Sequence, residues 1–241
     1  MADSPGKVGL VFVSHSTKIA EGLVDLARQM APNTVLIPAG GTDEGGIGTS
    51  FTKVASGITA ADAGAGVVVL CDLGSAILTA ETALDLLDDV VQERVRIVDA
   101  PLVEGGAAAA VAAEIGGDLD AVIAAARSAI AAPAPAPATA AEAEAETKVA
   151  GAPDAPRAIT RTVTLINKDG LHTRPAAEFV KLAGTFNSHV TVNGKDAKSL
   201  LSIMSLGLTK GMTAEISSSD GQAELSVNAL ANLIESGFGE E

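Results

Sequence analysis

Two histidines sit where the chain passes from one element into the next. His15 lies in "VFVSHS" (11–16), and His172 lies in "DGLHTRPAAEF" (169–179). An imidazole in such a place has two uses. It is a polar turn residue satisfied by backbone, or it is a nucleophile that carries a transferred group. At His172, the spacing predicts Thr173 as a helix N-cap, with Pro175 in the first turn. The ring then stands ahead of open N–H groups at the positive end of the helix dipole, and Arg174 adds a fixed positive charge. That setting suits a dianion such as a phosphoryl group. At His15, the expected partner is Asp72, whose carboxylate would hold one ring nitrogen and leave the other to react. The alternative for Asp72 is a simple helix cap. Gly74 and Ser75 open the following helix and offer N–H groups to an anion. From these residues alone the turn reading stays open at both histidines.

Other candidates for chemistry are weaker. His189 reads as a sheet residue, Cys71 as core, and Lys195 and Lys198 as solvated charges. The glycine-rich "AGGTDEGGIGTS" (39–50) invites a nucleotide reading. No G-x-x-x-x-G-K-[ST] and no G-x-G-x-x-G after a strand occurs, and Lys53 comes too late. Three His and one Cys show no zinc spacing, so no metal is expected. No G-x-S-x-G elbow is present.

The elements that must position these residues fall into two groups. In the first, apolar runs Lys7–Val13, Thr34–Pro38, Gly66–Asp72 and Arg94–Pro101 alternate with helical patterns. One helix places Ile19, Leu23, Leu26, Ala27 and Met30 on one face; another carries Phe51, Val54 and Ile58; a third is expected over Ser75–Asp89. This is the pattern of a doubly wound α/β domain, a parallel sheet covered on both faces. Such sheets bind ligands at the carboxyl ends of their strands, where His15, Asp72 and the glycine-rich loop all fall. The second group reads β-α-β-β-α-β-α, with a hairpin at Asn193-Gly194. That order implies an α+β open-faced sandwich with an antiparallel sheet.

Between them, residues 131–156 read "AAPAPAPATAAEAEAETKVAGAPDAP". Alternating Ala-Pro makes a stiff, extended spacer with too few large apolar residues for a core. The expected domains are therefore 1–130 and 157–241, joined by a linker of 26 residues that reaches roughly 80 Å. The formal net charge is −14, distributed as −10, −3 and −1 over these three segments. So acidic a chain is a poor match for nucleic acid or an anionic membrane. With no Trp, no Tyr and five Phe, base stacking has almost nothing to work with. No signal peptide and no membrane span are legible, so a cytoplasmic location is expected.

The motifs also carry a resemblance. "GLHTRPA" and "KSLLSIMSLGLTKG" make residues 157–241 similar to HPr, the phosphocarrier of the phosphoenolpyruvate-dependent phosphotransferase system. The resemblance implies His172 as the phosphorylated residue, Arg174 as its phosphate partner and Ser199 at a regulatory phosphorylation position. Thr173 stands where alanine is commoner. "VFVSHS", "LARQM", "GTDEGGIGTS", "DLGSAILTAETALDLL" and "APLVEG" make residues 7–130 resemble the mannose-type IIA domain. More closely, they resemble the DhaM family, phosphotransfer subunits of phosphoenolpyruvate-dependent dihydroxyacetone kinases. That resemblance implies a phosphohistidine at His15, Asp72 as its orienting carboxylate and a homodimer through this domain. It also implies a separate enzyme I as donor, and ADP held on a kinase subunit as acceptor rather than as a cofactor bound here. Two other readings stay open: a sugar-uptake component feeding a permease, and a regulatory module whose phosphorylation is sensed by another protein.

Overall fold

The computed structural model describes residues 6–131, 158–168 and 170–239, which fall into two compact units. The first runs β1 (Gly9–Ser14), α1 (Thr17–Arg28), β2 (Leu36–Gly40), α2 (Phe51–Ala61), β3 (Val67–Cys71), α3 (Gly74–Asp85), α4 (Asp89–Gln92), β4 (Val95–Val98), α5 (Leu102–Glu114) and α6 (Leu119–Ala131). The strands form one parallel sheet in the order β2-β1-β3-β4. Every residue of β1 and β3 is buried, as a strand covered on both faces must be. Leu10, Phe12 and Leu70 point to α1, α5 and α6. Val11, Val13, Val69 and Cys71 point to α2 and α3. Small residues bring the helices close in a core poor in aromatics. A Cβ added to Gly106 on α5 would come within 2.9 Å of the Phe12 ring.

Several expected boundaries move. α1 buries Ala20, Leu23, Val24 and Ala27, while Ile19 and Leu26 are exposed. The face that packs is the one where alanines let the helix lie close to the sheet, rather than the bulkiest one. β2 begins two residues later than expected and contains Pro38, tolerated because β2 is an edge strand. α3 ends at Asp85 instead of Asp89, because extended Asp88 restarts the chain as the N-cap of α4. The expected spacer over 131–156 lies outside the described residues apart from Ala131, which ends α6.

At the pole away from the carboxyl edge, Glu114 of α5 ties down the turn before β2. Its carboxylate accepts the Asn33 N–H (3.1 Å), Asn33 Nδ2 (2.8 Å) and Thr34 Oγ1 (2.9 Å), and pairs with Lys7 Nζ at 3.0 Å. Burial pushes its pKa up. The Asn33, Lys7 and Thr34 hydrogen bonds and the Lys7 charge outweigh it and bring the group from 4.5 down to about 2. A depressed carboxylate stabilises above its unfolded pKa and loses that stabilisation as pH falls through the folded value. Unfolding in urea should therefore become easier between about pH 4.5 and about 2. The loss should be on the order of 2–3 kcal/mol, and Glu114→Gln should flatten it.

The second unit runs β5 (Ile159–Thr164), α7 (Thr173–Gly184), β6 (Val190–Val192), β7 (Lys195–Asp196), α8 (Leu200–Met204), β8 (Thr213–Ser218) and α9 (Ala223–Glu235), closed by a turn of 3-10 helix. The order is the one expected. The sheet is antiparallel, β5-β8-β6-β7. β8 alternates, with Ala214, Ile216 and Ser218 buried, so one face is covered. α9 packs on β5 and β8 and meets α7. Asn193 and Gly194 both take positive φ (48° and 76°), as a two-residue hairpin with the right twist requires.

Candidate functional site

The site of the first unit is built where β1 and β3 end. Their register pairs Val13 with Cys71, so the residues just beyond come together although 57 positions separate them. Asp72 Oδ1 lies 2.9 Å from His15 Nδ1 and accepts the Leu73 N–H at 2.8 Å. Oδ2 accepts the His15 N–H and the Ser14 hydroxyl, each at 2.8 Å. Burial raises the Asp72 pKa. The bonds from the His15 N–H and ring, the Ser14 hydroxyl and the Leu73 N–H outweigh this and hold the group below the usual carboxylate range. An ionised carboxylate only accepts, so Nδ1 carries the hydrogen, and in a neutral imidazole of that tautomer the lone pair is on Nε2. The Ser75 hydroxyl, 2.8 Å from Nε2, is then the donor of that bond. Asp72 is not the cap of α3; that position is Leu73.

The glycine-rich loop walls this edge. Gly48 N–H donates to the His15 carbonyl at 2.9 Å, and Gly41 N–H to the Ser14 carbonyl at 3.0 Å. Gly41, Gly45 and Gly48 all take positive φ, which the tight path requires. Lys53 is committed to the loop's own backbone. Its Nζ donates to the Gly40 and Thr42 carbonyls and holds the loop from below. The hydroxyls of Thr49 and Thr79 meet at 2.7 Å and join the loop to α3. Ser14, Gly48, Thr49 and Thr79 are missed by the sequence reading; only Ser14, polar at the end of an apolar strand, left a signal. A cleft of about 390 Å³ opens along β2, lined by residues such as Thr17, Glu21, Pro38 and Lys53. His15 is not in its walls; its imidazole sits at the surface, about one-fifth exposed.

In the second unit the helix starts one residue earlier than expected. α7 begins at Thr173, so His172 is itself the N-cap, with ψ −178° and its carbonyl accepting the Ala176 N–H. Thr173 is therefore the first helical residue rather than the cap. Pro175 remains in the first turn, where its missing N–H costs no helical bond. His172 Nδ1 lies 3.3 Å from the Gly170 carbonyl. Arg174 is exposed, its Nε 3.6 Å from Glu178 one turn along. Ser199 is half-buried just ahead of α8.

The remaining residues keep ordinary places. His189 precedes β6, its N–H donating to Asp220 and its carbonyl accepting from Ser218. Lys198 Nζ donates to the Phe186 carbonyl, and Lys195 is exposed in β7. Burial, then the charges of Asp72 and Glu81, push the Cys71 thiol up to about 12, so it is core and not a nucleophile. Among the described residues, no group of three or more His, Cys, Asp or Glu is placed to hold a metal ion. No helix among them is long and apolar enough to cross a membrane.

Two phosphotransferase-system domains follow one another in this chain. Residues 9–123 match the family model of the PTS system fructose IIA component, and residues 159–236 match that of the PTS HPr component phosphorylation site. The chain is 41% identical to the phosphoryl donor subunit DhaM of a PEP-dependent dihydroxyacetone kinase from Pantoea ananatis, over 97% of this chain and 51% of that protein. It is 43% identical to a DhaM subunit from Listeria innocua over 48% of this chain and 94% of that one. It is 44% identical to the phosphocarrier protein HPr of Vibrio cholerae over 31% of this chain and 93% of that one. The chain belongs to the DhaM family. It spans about half the length of the Pantoea relative and of others it matches along nearly its whole length.

Proposed function

We propose that the chain is a two-histidine phosphoryl relay in which His172 receives phosphoryl from enzyme I and His15 passes it on. The carrying observation is the Asp72 carboxylate 2.9 Å from His15 Nδ1, which favours the tautomer with the lone pair on Nε2. As the new N–P bond forms at Nε2, the bond to the donor's imidazole breaks, and Asp72 offsets the positive charge that grows on the ring. The Ser75 hydroxyl must first leave Nε2; it and the first N–H groups of α3 then serve the incoming oxygens, where the helix dipole favours an anion. At His172 the same service falls to the first turn of α7 and to Arg174, which is free to swing because its bond to Glu178 is long. The next acceptor is the β-phosphate of ADP held on a kinase subunit, for transfer to dihydroxyacetone, the substrate of the kinases to which the DhaM relatives belong. The domains run 1–130 and 157–241, and the Ala-Pro composition of the segment between them supports a tether. It keeps the carrier at an effective concentration on the order of millimolar. Assembly is as a homodimer through the first domain, and no cofactor other than phosphohistidine is carried.

Label from phosphoenolpyruvate, supplied through purified enzyme I, tests the order. His15→Ala should leave His172 labelled and stop dihydroxyacetone phosphate formation by the added kinase subunits. His172→Ala should leave the chain unlabelled until free HPr is added, and then only His15 should take label. Label on His15 in the His172→Ala chain with enzyme I alone contradicts the relay.

A further inference from the structure

The turn leading into His172 contains a buried side-chain amide. Asn167 is 2% exposed. Its carbonyl accepts the Gly170 N–H at 3.2 Å, and its side-chain Nδ2 donates to the Gly170 carbonyl at 2.5 Å. Its Oδ1 is buried with no partner among the described residues. An amide buried with part of its capacity unmet is costly, and the main-chain bond alone would close the turn. The Gly170 carbonyl has a second neighbour, His172 Nδ1 at 3.3 Å. That is a long, weak hydrogen bond, just past the usual N–H···O range of about 2.7–3.2 Å. The turn is anchored from the other side by the Leu171 N–H on the Leu208 carbonyl at 2.8 Å.

We propose that Asn167 is a positioning residue for His172: by holding the Gly170 carbonyl, it stops that oxygen from closing onto Nδ1 and fixing the ring proton there. A carbonyl oxygen has two lone pairs, and the amide takes one of them and sets the direction of the other. Without the amide the oxygen is free to turn to the ring, and the tautomer with hydrogen on Nδ1 gains. A ring that must meet two different partners in succession is then biased to one state. The inference rests on His172 being the entry point of the relay.

The test uses the full chain with ¹⁵N and ¹³C in Asn, Gly and His. In the unaltered protein, NMR should show coupling across the hydrogen bond from Asn167 Nδ2 to the Gly170 carbonyl. In Asn167→Ala and in Asn167→Asp, which keeps the shape but loses the donor, His172 should shift towards the Nδ1–H tautomer while His15 does not move. Phosphoryl uptake from enzyme I should fall about ten-fold in kcat with KM unchanged. Absence of the coupling in the unaltered chain, or a folded variant with unchanged tautomer and rate, overturns the proposal. Failure of His172 to take label in the unaltered chain overturns the relay instead and is scored apart from the NMR result.

Discussion

Asp72→Asn should cut phosphoryl passage through His15 by roughly 10³–10⁴-fold, the scale seen when an orienting carboxylate is lost and the imidazole takes the wrong tautomer. Four donors converge on the two oxygens of Asp72: the Ser14 hydroxyl, the His15 N–H, His15 Nδ1 and the Leu73 N–H. An asparagine has one oxygen for them. If its amide nitrogen faces Nδ1, the ring moves its proton to Nε2 and the nucleophile is gone. If it faces the other way, the His15 N–H loses its acceptor and the loop around the ring shifts. Each orientation strands one main-chain N–H, His15 or Leu73, so some stability is lost as well. The measurement is the rate at which His15 takes label from phosphorylated His172 in a single turnover. His172 labelling by enzyme I serves as the internal control and should be unchanged. A rate within a few-fold of the unaltered chain would show that Asp72 only braces the loop.

Gly170→Ala should have the second largest effect, through the second unit alone. Gly170 has φ +66°, and a Cβ there would stand 2.2 Å from the Leu208 carbonyl oxygen and 2.6 Å from Thr209 Cα. Both contacts are with backbone, so no side chain swings away to make room. Left-handed geometry and overlap together should cost at least about 3 kcal/mol, a large part of a small domain's stability. The turn can relieve the strain only by moving, and it carries His172. Thermal unfolding should show the second unit melting earlier while the first keeps its midpoint. His172 should lose labelling in proportion. By contrast, Gly194→Ala meets no atom within 4 Å and keeps only the cost of its positive φ, so it should be far milder.

The architecture was legible in the residues because its signals are local. Continuous Val and Leu in residues 67–71, alternation in residues 213–218 and Asn193-Gly194 each report their immediate surroundings, and each formed the expected element. Local signals failed where packing chose between near-equal options. Ile19 and Leu26 lie on the exposed side of α1, because Ala20 and Ala27 offer the closer approach to the sheet. Thr173 looked like the cap of α7, yet the chain bends one residue earlier and His172 takes that place.

The sequence by itself determined which groups are present: two histidines at element boundaries, the order of strands and helices, and the motifs that place the chain in its family. Only the tertiary structure decided what surrounds His15. The parallel pairing of β1 with β3 brings Asp72 across 57 residues to one ring nitrogen, and Ser75 arrives at the other because α3 starts just beyond. Which nitrogen keeps the lone pair is a question of distances and directions between residues remote in the chain. Composition and spacing carry no such information; two strands ending at the same edge of a sheet do.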